Sequence, residues 1–420
     1  MNKPLLIYQA PIATRSGYGD HSRDILKSIF KYDKFDVVTI PMRWGNTPQN
    51  QINPTTEFGK KLISTIGVEI KKVPDVFIQM TVPNEFQKSG KFSIGITAGI
   101  ESTIAPKEWI DGCNRMDLII VPTEFSKKVL QQTVYDETDK RTNKVIRQHK
   151  IEKPIEVLHE GVDLSTYLKP KTDVDVLEGI DTDFNFLVCG HWLKGDLGHD
   201  RKDIGMTIQT FCTVFENVPK KQQPGLILKT SMAGFSVTDR EAITAKINEI
   251  AQKFGDKCPP IHLLFGDLTE EQMTSLYHHP KVKSMISFTK GEGYGRPLCE
   301  FTLTGKPIIV SRWSGHTDFL PDYYTEYLEG ELKNIHPSAA DNFLLRESKW
   351  FNVDYTKAAQ KIFDVHKNYK KYLSKSKGLI ANTKKSFDLE SMHSKFADIM
   401  KKYVNIPEFV ALKLPEIKKL

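Results

Sequence analysis

Short apolar runs recur along the chain, each closed by a polar stretch or by glycine or proline, and they alternate with longer segments of helical period. In the first half, residues 5–10, 35–40, 75–80, 92–97, 117–122 and 155–159 read as strands, with a helix over 21–30 behind the first. In the second half, residues 184–190, 225–229, 261–265, 282–288 and 307–311 read as strands, and 204–215, 239–254 and 270–277 as helices between them. Strands this short and apolar, each followed by a helix, predict parallel sheets covered on both faces. The polar, broken segment 162–182 separates the two sets, and 355–403 reads as two or three amphipathic helices. The fold class is therefore α/β. It divides into a first Rossmann-like domain (1–165), a linker (166–182), a second Rossmann-like domain (183–375) and C-terminal helices with a tail (376–420). Residues 406–420 are too polar to assign an element.

Length agrees, since 420 residues are long for one core. No stretch approaches the ~20 apolar residues of a membrane span. The apolar run near the N-terminus is too short for a secretory signal peptide. The five cysteines (Cys113, Cys189, Cys212, Cys258, Cys299) are scattered and lack paired metal-ligand spacing. They point to reduced thiols in the cytoplasm and away from a zinc site. The formal charge is +7, and much of the excess lies late, at Lys367, Lys370, Lys371, Lys375, Lys377, Lys384, Lys385, Lys401, Lys402, Lys413, Lys418 and Lys419. Such runs usually form solvated helix faces, though they also suit an anionic partner.

One segment concentrates chemistry: Lys290-Gly291-Glu292-Gly293-Tyr294-Gly295-Arg296-Pro297-Leu298-Cys299-Glu300. Residues 289–295 read as a loop after a buried strand. Arg296-Pro297 reads as a helix start, because proline in the first helical turn gives up no needed N–H. Gly305-Lys306-Pro307 ends that helix before the next strand. In an open α/β sheet such a loop lies at the carboxyl ends of the strands, where ligands bind. Glycines let backbone N–H groups come close to a hydroxyl-rich or phosphorylated ligand. A helix start attracts anions, and a carboxylate accepts hydrogen bonds from two neighbouring sugar hydroxyls.

This segment resembles the E-x7-E signature of retaining glycosyltransferases with the GT-B fold, of the group 1 or family 4 type. The Glu-Gly-aromatic-Gly-x-Pro run, the second glutamate and the later Gly-Lys-Pro all match, while Phe301-Thr302-Leu303-Thr304 departs from the usual small residues. Further segments are similar in the same order: Ser16-Gly17-Tyr18-Gly19 after the first strand, 115–126 with Thr123 as a helix cap, and Leu158-His159-Glu160-Gly161-Val162-Asp163. The resemblance implies two Rossmann-like domains facing each other across a cleft, with C-terminal helices crossing back to the first. It implies sugar transfer from a nucleotide-diphosphate sugar, with retention of anomeric configuration. No cofactor beyond that co-substrate and no metal is expected.

The resemblance also assigns roles. Glu292 contacts the donor sugar together with the backbone of Gly293, Tyr294 and Gly295, and Glu300 binds the ribose hydroxyls. Gly17 and Gly19 lie over the cleft. Lys202 is the first candidate to grip the diphosphate and to stabilise charge on the leaving group, Arg201 the second and Lys229 the third. The arginine usual just after the first strand of the second half is missing, since His191 and Trp192 stand there. A histidine expected near the donor sugar is also missing from 97–102, where Glu101 becomes the candidate to contact sugar or acceptor. Ser314 and Gly315 are placed near the donor, and His316 reads as a surface residue. The acceptor stays open between saccharide, protein and nucleic acid. An alternative reading is a nucleic-acid-associated protein, or a glycosyltransferase acting on a DNA base, that holds DNA on its basic surface.

Overall fold

The structure, a computed structural model, describes residues 3–405 except 140, 143, 171–174, 233 and 235. The unassigned segment 406–420 lies outside the described residues, as do Lys413, Lys418 and Lys419. The first half contains β1 (Leu5–Ala10), α1 (Gly17–Tyr32), β2 (Asp36–Pro41), α2 (Glu57–Ser64), β3 (Val76–Met80), β4 (Phe92–Ile96), α3 (Lys107–Arg115), β5 (Leu118–Val121), α4 (Glu124–Gln132), the hairpin β6 (Tyr135–Thr138) and β7 (Val145–His149), β8 (Ile155–Val157) and α5 (Leu164–Tyr167). Six strands form one parallel sheet in the order β2-β1-β3-β4-β5-β8.

The second half contains β9 (Asn185–Cys189), α6 (Ile204–Phe215), β10 (Gly225–Lys229), α7 (Val237–Gln252), β11 (Ile261–Leu263), α8 (Glu270–His278), β12 (Val282–Ser287), α9 (Arg296–Thr302), β13 (Ile308–Ser311) and β14 (Glu326–Leu328). A hairpin of β15 (Gly330–Asn334) and β16 (Lys349–Val353) follows, then α10 (Tyr355–Lys367), α11 (Tyr369–Ser376), α12 (Gly378–Ser386) and α13 (Leu389–Tyr403). Its parallel sheet runs β11-β10-β9-β12-β13-β14. Both sheets are apolar on both faces, as parallel strands between helices must be. One core packs α6 and α10 on the second sheet, and another packs α8 and α9 on its opposite face. This is the GT-B arrangement of two parallel-sheet halves.

The end of the chain returns to the first half. Met392, Phe396, Ile399 and Met400 of α13 are buried in the core of β1, β3 and α1. Lys402 Nζ and Tyr403 Oη both reach Glu156 of β8, at 2.6 and 2.7 Å. The outgoing and returning segments meet where Val162 and Asp388 form a parallel bridge. The segment read as a linker is partly built into the second half, since Tyr167 and Leu177 are buried there.

Most predicted elements fall within a residue or two of their expected bounds; α2, α3 and β14 were not predicted, and three other regions differ. The helix expected at 21–30 begins at Gly17, because Ser16 caps it by accepting from the Gly19 N–H at 3.0 Å. The hairpins β6–β7 and β15–β16 had no alternating signal, and β15 is exposed throughout. The C-terminal part forms four helices rather than two or three. Of the late lysines among the described residues, all but Lys375 are exposed, and Lys375 pairs with Glu326. That is the pattern of a solvated helix face.

Candidate active site

In the second sheet the chain lays β10 and β11 on one side of β9, then crosses to β12 on the other. Loops after β9 and β12 therefore diverge, and the crevice between their carboxyl ends is where open α/β sheets bind ligands. The segment after β9 carries Arg201 and Lys202 to the start of α6, and the segment after β12 carries Glu292 to the start of α9. Two elements distant in sequence thus bring their charges together.

Glu292 is buried, at 5 % exposure. One carboxylate oxygen pairs with Lys202 Nζ, and the other lies 3.3 Å from Arg201 Nη1. Burial works to raise its pKa, but the charges of Lys202 and Arg201, with hydrogen bonds from Lys202 and Thr289, hold it down at about 2. Ser314 Oγ accepts from the Glu292 N–H at 2.9 Å, and the Gly315 N–H donates to the Glu292 carbonyl at 3.0 Å. Ser314 and Gly315 thus fix the backbone of this loop.

Arg201 bridges the halves. Its Nη1 also donates to the Gly291 carbonyl at 2.9 Å and meets Glu101 Oε1 of the first half at 3.0 Å. Burial raises the pKa of Glu101; Arg201 opposes this and Glu292 adds to it. Where a cation was expected after β9, His191 is kept neutral, its pKa lowered by burial and by Lys202 and Arg201, and Trp192 is buried. The positive charge here comes from the end of that loop.

The glycines of the motif serve contact between the halves as well as ligand approach. A Cβ on Gly293 would fall 2.0 Å from the Ala98 carbonyl oxygen, and one on Gly291 would fall 2.0 Å from that of Glu101. Thr123, the cap of α4, donates from Oγ1 to the Gly293 carbonyl at 3.0 Å. Gly295 has φ +97°, a conformation that only glycine adopts without strain, and it turns the chain into α9. The Tyr294 ring points into the core, 4.9 Å from the Phe319 ring, and its hydroxyl donates to the Glu160 carbonyl at 2.6 Å. Only the backbone of Tyr294 is left to face a ligand.

Glu300 forms a second group. Its Oε2 accepts from the Tyr277 hydroxyl and its Oε1 from Arg296 Nε, each at 3.1 Å. Burial pushes its pKa up to about 7 against the pull of Arg296. Arg296 Nη1 also reaches Asp24 at 2.8 Å and Glu160 at 3.4 Å in the first half.

The remaining predicted residues scatter. Lys229 Nζ donates to the Gly266 carbonyl at 2.7 Å, beside the ion pair of Arg15 with Asp267, and burial lowers its pKa. Gly17 and Gly19 lie in the first turn of α1. Gly17 has open space where a side chain would begin, whereas Gly19 packs against the Thr14 carbonyl. His316, expected at the surface, is fully buried, and its Nε2 lies 2.7 Å from the Ser311 carbonyl oxygen. It closes the turn after β13 from inside, an environment that no spacing in the sequence signals. Among the described residues no group of three or more His, Cys, Asp or Glu side chains is placed to hold a metal ion. No described helix is long and apolar enough to cross a membrane.

Sequence reasoning gave no charge role to Asp24, Glu160 or Arg296. The Asp318 carboxylate accepts from the Glu124 N–H at 2.8 Å and meets His159 Nε2 at 3.0 Å, both in the first half. Asp24 and Glu160 meet Arg296 from far away in the chain, so no local pattern marks those contacts, whereas Arg296 and Glu300 stand one helical turn apart.

No protein family's sequence model matches the chain, and no curated protein matches it. Solved structures do match, and their fold is the GT-B fold of glycosyltransferases. A glycosyltransferase from Rickettsia africae superposes with a TM-score of 0.58 at 13 % identity, covering 96 % of this chain and 99 % of that one. Anabaena HepE in complex with UDP and glucose gives 0.58 at 12 % identity, covering 95 % and 100 %. Sucrose-phosphate synthase from Thermosynechococcus elongatus gives 0.61 at 13 % identity, covering 95 % and 98 %. At these identities the likeness concerns the fold.

Proposed function

We propose that this protein is a retaining glycosyltransferase that transfers a sugar from a nucleotide-diphosphate sugar, with the second half as donor domain and the first as acceptor domain. The observation that carries the reading is the meeting of Lys202 and Arg201 with Glu292 at the switch point of the second sheet. Two cations at the start of α6 suit a leaving diphosphate, whose negative charge grows as the glycosidic bond breaks. The Ile204 end of α6 adds the positive end of a helix dipole. Arriving phosphate would compete with Glu292 for Lys202.

Glu292, held at about 2, is ionised at neutral pH. Its role is to accept hydrogen bonds from sugar hydroxyls and to favour positive charge on the sugar ring, and it does not donate a proton. Glu101, held through Arg201, faces the same space from the acceptor side. Glu300 takes the ribose hydroxyls. Anabaena HepE was solved with UDP and glucose, which supports UDP-glucose as the first donor to try.

The test is a thermal-shift series with UDP, GDP, ADP and CMP and their sugar conjugates, on wild type and Lys202→Ala. A ligand that binds only the folded state raises Tm with its concentration. One nucleotide should shift wild type and lose its effect in the variant. No shift with any of them would count against the reading.

A further inference from the structure

Arg296 stands between the two glutamates of the motif segment, and its side chain is 16 % exposed. Its three carboxyl-bearing partners sit on three separate elements. Glu300 lies one turn along α9, Asp24 lies on α1, and Glu160 lies in the segment after β8. All three are buried. Among the described residues no other cation is paired with more than one of these groups. Lys27 reaches Asp24 alone, at 2.9 Å, and Arg23 pairs with Asp20. His21 has its Nδ1 3.7 Å from Glu160, but burial drives its pKa down to about 3, and neither ring nitrogen has a hydrogen-bond partner. It is neutral and adds no charge.

We propose that Arg296 is a positioning residue for the nucleotide: it holds the Glu300 carboxylate in place for the ribose hydroxyls and ties it to closure of the two halves through Asp24 and Glu160. The proposal rests on the glycosyltransferase reading above. Its basis is the fork of the guanidinium, which can address several carboxylates at once where an ammonium acts as a single point. Separation of the halves would withdraw Asp24 and Glu160 from Arg296 and leave Glu300 with a freer partner. Nucleotide at Glu300 and closure of the cleft then favour each other, and by linkage each strengthens the other equally.

Proton linkage gives the test a readout that a purely structural arginine would not move. Among the described residues, the titratable groups acting on Glu300 include Asp20 on α1, Tyr167 on α5, Cys189 on β9, Glu270 and Tyr277 on α8, and Arg296 and Cys299 on its own helix, with Asp24 and Glu160 coupled to it through Arg296. Arg296 is the cation in direct contact with it. A carboxylate that accepts from ribose must be ionised, so affinity should rise as pH climbs through about 7. Without Arg296 the midpoint should move to higher pH.

The experiment is calorimetric titration of the full chain with UDP, GDP and ADP from about pH 6 to about pH 9, on wild type, Arg296→Gln and Arg296→Lys. Arg296→Gln should bind about tenfold or more weakly at neutral pH and recover as pH rises. Arg296→Lys should keep the wild-type midpoint and lose part of the affinity, because one ammonium cannot span the carboxylates. Wild-type affinity and midpoint in Arg296→Gln would overturn the proposal. Should that variant lose its cooperative melting, undiminished affinity in Arg296→Lys would overturn it instead. Absence of nucleotide binding by wild type at every pH would remove the transferase reading, and this proposal with it.

Discussion

Lys290 and Asp203 meet at 3.0 Å with neither side chain exposed to solvent. The pair joins the loop after β12 to the start of α6, so it sets Glu292 and Lys202 relative to each other. Asn352 Oδ1 accepts from Lys290 at 2.8 Å, and the Tyr355 hydroxyl donates to Asp203 at 2.7 Å. Removing one partner of a buried pair leaves a desolvated charge without compensation. Lys290→Met should therefore cost about 3–5 kcal/mol of stability. Denaturant unfolding would measure it, and Asp203→Asn in the same chain should recover part of the loss. A cost below about 1 kcal/mol would mean that the pair is exchangeable for apolar packing.

Glu292 and Lys202 should separate binding from chemistry. Glu292→Gln keeps the shape of the side chain and removes the charge, so transfer should fall while nucleotide affinity is kept or rises, since Lys202 and Arg201 are freed for phosphate. Lys202→Ala should weaken a nucleoside diphosphate by about 2 kcal/mol, the scale of a hydrogen bond to a charged group, and leave the bare nucleoside unaffected. Paired kcat and Kd measurements decide this. Undiminished turnover in Glu292→Gln would remove the role given to that carboxylate.

Gly293→Ala probes the contact between the halves. The added methyl would meet the Ala98 carbonyl at 2.0 Å, and backbone on both sides resists the shift. The loop and the first half should move apart by about an ångström, a displacement that can cost roughly a hundredfold in rate. Nucleotide affinity should suffer less, because the second half carries its contacts. Equal rates in wild type and variant would show that closure at Gly293 does not matter for turnover.

Glu160 makes stability depend on pH with a definite sign. Burial pushes its carboxyl up to about 8, opposed by Arg296. Below its ordinary range the folded and unfolded states both hold the proton. As pH rises from there toward about 8, the folded state keeps a proton that the unfolded state has released, and stability falls. Glu160→Gln has no proton to keep. It should melt higher than wild type near pH 8, by an amount worth about 1.4 kcal/mol per pKa unit displaced, and alike near about pH 4. Parallel melting curves across this range would rule out a buried, protonated Glu160.

The strand pattern carried most of the architecture. β10 and α6 fall at the residues their apolar periods predict, because a buried parallel strand and the helix covering it leave strong local signals. The start of α1 was misplaced, since Gly17 and Gly19 read as loop while the cap at Ser16 starts the helix earlier. The motif named Glu292 and Glu300 as chemistry, and the family resemblance named Lys202.

By itself the sequence determined the two sheets, the loops that end at their carboxyl edges and the residue types those loops carry, because period, glycine and proline act over a few residues. Only the tertiary structure decided which charges meet. Arg201 reaches Glu101 and Arg296 reaches Asp24 and Glu160 across the two halves, while Lys229 is engaged by a carbonyl apart from the Lys202 and Glu292 pair. Those outcomes depend on how two separately folded sheets are set against each other, and on a final helix that returns to the first half. The cations brought together in that assembly hold Glu292 ionised, and burial in it lifts Glu160 and Glu300 toward neutral pH.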